Sequence, residues 1–207
     1  MEKITNMTVD EFSMQLAAKV PVPGGGGAAA LVGALGAALC SMSANYTYGK
    51  KKYAAYDEEL KAILDECDKL RKGLLDLIQK DADGFEPLSK AYAIPADAPG
   101  RGEALEKATI DALEAPMEML RAIKRSVELL ERMEEIGSPL MISDVGCGAA
   151  LASSALKSSS LNVFINTGSL KDRALAEKLE AEADAILADY VARADKIAER
   201  VTEKIRS

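Results

Sequence analysis

Apolar residues recur at intervals of three and four along nearly the whole chain and almost nowhere at two, a pattern that predicts helix after helix. Thr8 followed by Glu11 has the form of a capping box; it opens an amphipathic segment carrying Phe12, Leu16 and Val20, which Pro21 and Pro23 stop. After the glycines at 24–27, residues 28–46 are apolar on nearly every side, so this helix is expected at the centre of the fold. Its alanines and serines would let neighbouring helices approach closely. Residues 53–80 carry Leu60, Ile63, Cys67, Leu70, Leu74 and Ile78 at helical spacing, and 81–93 reads as a separate, shorter helical piece.

Residues 95–102, with two prolines and two glycines, form the clearest loop. Helix resumes at 103, passes Pro116 with a kink or a fresh start, and runs to 136, where Gly137, Ser138 and Pro139 break it. Ser143 or Asp144 is expected to cap an Ala/Gly/Ser-rich helix reaching about residue 158, and 161–165 reads as a brief alternating segment. From residue 170 a last helix runs on with Leu175, Leu179, Ile186, Tyr190, Ile197 and Val201 at near-heptad spacing. It would be roughly 50 Å long, against a radius of gyration of about 17 Å for a compact chain of this size. Residues 1–207 therefore read as one all-α domain, an elongated helical bundle with a buried Ala/Gly-rich central helix and a long C-terminal helix, assembled as a homodimer.

Composition narrows the chemistry. The 207 residues include 26 basic and 33 acidic side chains, a net charge of −7, and no histidine. At this length roughly 70% of the unfolded surface can be buried, enough for a core without disulfide or metal staples. The absence of histidine removes Ser-His-Asp and Cys-His nucleophiles, the H-E-x-x-H zinc helix and the imidazole base. Proton transfer falls to Asp, Glu, Lys, Tyr or Cys. Cys40, Cys67 and Cys147 form no C-x-x-C; the two in Ala/Gly-rich apolar stretches, Cys40 and Cys147, are expected as buried free thiols, in a reducing, cytoplasmic compartment. The acidic balance disfavours nucleic acid. The apolar run 28–44 is too rich in Ala and Gly for a membrane span, and the acidic residues before it do not suit a signal peptide.

Four of the six tyrosines, Tyr46, Tyr48, Tyr53 and Tyr56, fall within eleven residues around Gly49-Lys50-Lys51-Lys52. Such a cluster suits stacking of a heteroaromatic ring beside a bound anion, or equally a solvated basic turn. The Pro23 and glycine run could bind an anion at a helix N-terminus, or could simply let a buried helix begin in close packing. Asp144 reads as a cap that could also face a substrate cation. Asp81 and Asp83 read as a solvated helix face. Asn162 and Asn166 fit turn chemistry, with both amides aimed the same way.

Taken in order, Val20-Pro21-Val22-Pro23-Gly24-Gly25-Gly26-Gly27 with the apolar run after it, Gly49-Lys50-Lys51-Lys52-Tyr53, the region around Asp81 and Phe85, Ser143-Asp144, and Leu161-Asn162-Val163-Phe164-Ile165-Asn166 resemble the cyclodeaminase/cyclohydrolase family of tetrahydrofolate enzymes. The resemblance spans nearly the whole chain. One departure is Gly27, where the family usually has Ser. The resemblance implies an all-helical homodimer with a folate site partly at the subunit interface. It implies formimidoyltetrahydrofolate cyclodeaminase activity, with 5,10-methenyltetrahydrofolate cyclohydrolase as the alternative; a non-catalytic helical scaffold is the other. On this reading Asp144 faces the cationic one-carbon bridge and Lys51 or Lys52, its pKa lowered by burial, shuttles the proton. Tyr53 orients that lysine or stacks on the pterin. Lys50 and backbone donors of Gly24, Gly25 and Gly26 hold an anionic part of the folate, and Asn162 or Asn166 bonds the pterin edge. No metal and no cofactor beyond the tetrahydrofolate substrate is expected.

Overall fold

A computed structural model describes residues 3–207; among these there is no strand. The helices are α1 (Val9–Ala17), α2 (Gly25–Thr47), α3 (Asp57–Tyr92), α4 (Arg101–Ile136), α5 (Ile142–Thr167), α6 (Arg173–Ile186) and α7 (Ala192–Arg206). The last two are joined without a break by a π-helical turn, Leu187–Val191.

Helices α2 and α5 form the centre and pack on each other in opposite directions: Gly25 lies against Asn162, Gly36 against Gly148, and the Thr47 hydroxyl accepts from the Ser138 N–H at 2.9 Å. At the crossing the backbones nearly touch, since a Cβ on Gly36 would sit 3.2 Å from the Gly148 carbonyl oxygen. That approach explains the small residues on both helices. The same composition makes both long and apolar enough to cross a membrane, yet about half of each is buried inside the bundle. The expectation of burial all round does not hold for α2, because Leu35, Met42 and Tyr46 are exposed along one face.

α3 and α4 flank this pair as two 36-residue helices, each about 54 Å long. The break expected at residue 81 is absent: α3 continues through Pro87 because Ala82, Leu88 and Ala91 keep the buried spacing, and Leu88 and Ala91 pack on Ala108 and Ala112 of α4. Pro116 likewise sits inside an unbroken α4. α5 continues to Thr167, so the alternating segment at 161–165 is helix. Met141, not Ser143 or Asp144, takes the cap position, with Asp144 in the first turn.

The capping box of α1 is present, Glu11 N–H donating to Thr8 Oγ1 at 3.2 Å and Thr8 N–H to Glu11 Oε2 at 2.7 Å. α1 itself buries no residue. α6 and α7 are fastened to α4 by charge as well as by apolar contact. The Glu134 carboxylate, 4% exposed, accepts from Arg200 and Lys204, and Glu131 pairs with Arg193. Cys40 and Cys67 are buried free thiols, whereas Cys147, expected to be buried, is exposed because it lies on the outer face of α5.

Candidate active site

The site is built around the N-terminus of α2. Its cap residue is Gly24, which has no side chain to satisfy the first N–H groups, so the helix presents free donors and the positive end of its dipole. Asp81 of α3 lies directly against this end. Its phase on α3 follows from Leu77, Ile78 and Ala82, all buried, which turn the same stripe inward. The carboxylate fills the space that a Cβ on Gly26 would need, so only glycine lets the two meet. Burial pushes the Asp81 carboxyl up to about 6, opposed by a hydrogen bond donated by the Gly27 N–H.

Across from Asp81 stand Asn162 and Asn166, one turn apart on α5. Each amide Nδ2 donates back to the carbonyl four residues earlier, at 2.9 Å, which engages one of its two N–H groups and leaves Oδ1 as an acceptor for a ligand. These groups surround a cavity of about 220 Å³ bounded by Pro21, Gly25, Asp81, Phe85, Asn162 and Asn166. A carboxyl group able to hold or release a proton near neutral pH thus faces helix donors and two amide acceptors in one cleft.

The structure brings together five of the residues singled out in the sequence: Gly24, Gly25, Gly26, Asn162 and Asn166. It adds Asp81, which the sequence reading left on a solvated face; Asp83 alone is exposed, accepting from Gln79 Nε2 at 2.8 Å. The remaining candidates lie at the opposite end of the bundle. Asp144 is half-buried in the first turn of α5, eighteen residues before Asn162, about 27 Å along the helix. Lys50, Lys51 and Lys52 are exposed beyond the C-terminus of α2, so the single chain supplies none of the burial expected for a proton-shuttling lysine. Tyr53 is half-buried there, with the Lys52 ammonium 5.3 Å from its ring centroid.

A sequence profile for formiminotransferase-cyclodeaminase matches residues 8–185. The chain belongs to the formiminotransferase-cyclodeaminase family. A methenyltetrahydrofolate cyclohydrolase from Methylorubrum extorquens is 37% identical over 204 residues, covering 97% of this chain and 98% of the relative. The formimidoyltransferase-cyclodeaminase of Dictyostelium discoideum is 30% identical over 98% of this chain, which matches 38% of that longer protein. A crystal structure of formiminotetrahydrofolate cyclodeaminase from Thermotoga maritima superposes with a TM-score of 0.84 at 30% identity, over 96% of this chain and 99% of the other. The family membership read from the glycine run and the lysine turn is thereby established, together with the all-α fold. Where the family usually carries Ser, a Cβ on Gly27 would meet only Pro23 and Ile78, at 3.4 and 3.5 Å.

Proposed function

We propose that the protein is a 5,10-methenyltetrahydrofolate cyclohydrolase, with Asp81 as its acid-base group. The observation that carries this reading is the carboxyl of Asp81, raised to about 6, set against the free N–H groups of α2. Water adds to the bridge carbon of the methenyl cation while ionised Asp81 takes a proton from it. The resulting tetrahedral carbon bears an oxygen whose developing charge suits the donors around Gly24, Gly25 and Gly26. Protonated Asp81 then delivers its proton to N5 as the C–N5 bond breaks, which restores the carboxylate; the hydroxyl oxygen becomes the formyl carbonyl and its proton, the one released by the overall reaction, leaves to solvent. The Oδ1 acceptors of Asn162 and Asn166 suit the N–H edge of the pterin.

The whole-length similarity to a cyclohydrolase favours this reaction, and the similarity to the Thermotoga structure favours cyclodeamination as the second reading. There N10 attacks the formimino carbon and protonated Asp81 serves the departing ammonia. Parallel turnover assays on 5,10-methenyl- and 5-formimino-tetrahydrofolate separate the two: the proposal expects hydrolysis of the first to dominate, and it fails if only the second is consumed.

A homodimer completes the site on this reading. Leu35 and Met42 of α2, with Leu161 and Ile165 of α5, expose an apolar face that runs the length of the bundle. Pairing these faces about a two-fold axis perpendicular to α2 would bring the Lys50, Lys51, Lys52, Tyr53 and Asp144 end of one copy to the glycine end of the other. Lys52 or Lys51 would then become buried beside the cleft, and Asp144 would face the substrate cation. A cytoplasmic location accords with the free thiols of Cys40 and Cys67.

A further inference from the structure

A second cavity opens beside the first. It measures about 570 Å³, within the about 300–1,000 Å³ of small-molecule pockets, and lies between the N-terminal segment and α3. The two adjoin, sharing Pro21, Val22 and Phe85 as lining. The wall is fixed by a hydrogen bond from the Ile4 N–H to Gln79 Oε1 at 3.1 Å, which ties the N-terminal segment across α3 and leaves Met7 facing Ala82, Phe85 and Ser89 over the groove. Its middle is apolar. Its charged groups are already engaged at the rim, Lys90 with Glu86 at 2.7 Å and Asp83 with Gln79 Nε2 at 2.8 Å.

We propose that this groove holds the p-aminobenzoyl ring of the folate, on the side of the one-carbon bridge opposite the pterin. The inference rests on the folate reading above. With the bridge carbon at Asp81 and the pterin edge at Asn162 and Asn166, the aryl group on N10 leaves the cleft past Phe85. A flat ring with few polar atoms suits a groove walled by Met7, Val22, Ala82 and Phe85, and it can meet Phe85 edge to face. The pteridine, which needs several hydrogen-bond partners, suits the polar cleft of Asp81, Asn162 and Asn166 better than this mostly apolar wall, whose polar groups outside the engaged Gln79, Asp83, Glu86 and Lys90 are Gln15 and Ser89. The glutamate portion reaches the rim and stays in water.

The test fills the groove from Ser89, half-buried on the α3 side. In Ser89→Phe, KM for the folate substrate rises about tenfold while kcat stays within about twofold, the split expected when binding made equally in ground and transition states is removed. Inhibition of the wild type by free p-aminobenzoylglutamate weakens by a similar factor in the variant. Met7→Gln, which leaves the helices untouched, shifts KM in the same direction. An unchanged KM in both folded variants, or a fall in kcat alone, overturns the assignment. A change of molecular mass in solution with KM unaffected also overturns it and gives the groove to a second copy of the chain. Absence of folate turnover and of folate binding in the wild type overturns the underlying reading as well, whereas normal turnover with an insensitive groove overturns this inference alone.

Discussion

Replacing Asp81 with asparagine keeps the shape of the side chain and removes its charge. The carboxyl titrates at about 6 in the fold against an ordinary 3.8. The folded state therefore holds the proton more tightly than the unfolded chain, and stability falls as pH rises from about 4 to about 6. A difference of about two pKa units corresponds to about 3 kcal/mol of destabilisation by the ionised group above pH 7. Asp81→Asn relieves most of it, because the amide oxygen still accepts from the Gly27 N–H; the gain at pH 8 is about 2–3 kcal/mol, or about 4–12 °C in melting temperature for a chain of this size. Urea titrations at pH 8 and pH 4 read the effect, the difference shrinking to under about 1 kcal/mol at the lower pH. The same variant loses about 10²- to 10⁴-fold in turnover, and kcat/KM of the wild type declines below pH about 6 as the base becomes protonated. A variant no more stable at pH 8 than the wild type would refute the buried-carboxylate argument. Turnover kept within tenfold would refute the catalytic one.

Gly26→Ala places a methyl group where the Asp81 carboxylate lies, so the carboxylate swings aside: turnover falls at least about a hundredfold while the fold holds or gains up to about 1 kcal/mol from the removed helical glycine, read by assay and thermal melt. Mixing Asp81→Asn with Lys52→Met subunits, each inactive alone, recovers about a quarter of wild-type activity if the lysine turn of one copy serves the glycine end of the other, since half the dimers are mixed and each carries one intact site; no recovery after subunit exchange removes the shared site. Arg200→Met leaves the Glu134 carboxylate, 4% exposed, with Lys204 alone, and costs about 2–3 kcal/mol in chemical denaturation with kcat unchanged.

The phase of α3 carried a signal for Asp81. It stands four residues after Leu77 and three after Ile78, on the buried stripe, while Asp83 falls outside it. Reading the two as an acidic pair hid this, because adjacent charges in a sequence suggest a common face and a helix separates residues two apart by most of a half-turn. The i, i+4 spacing of Asn162 and Asn166 aimed both amides to one side whether the segment was strand or helix, so the error in local structure at 161–165 did not misplace them. Pro87 misled through local preference: the lost hydrogen bond is a local penalty, and the packing of Leu88 and Ala91 on α4 outweighs it.

Periodicity and punctuation by themselves determined the helical class, the central place of the Ala/Gly-rich helix after the glycine run, a loop ahead of α4, which begins two residues earlier than expected, and the glycine and asparagine candidates, because each depends on local residue pattern. Tertiary structure alone decided which distant turns share a cleft. Gly26, Asp81 and Asn162 meet because α2 and α5 run in opposite directions with α3 beside them, and the same antiparallel arrangement sends Asp144 and the lysine turn to the far end. A repeat of 3.6 residues specifies the face of a helix but not which end of its neighbour lies beside it; loop path and backbone packing at Gly36 and Gly148 settle that.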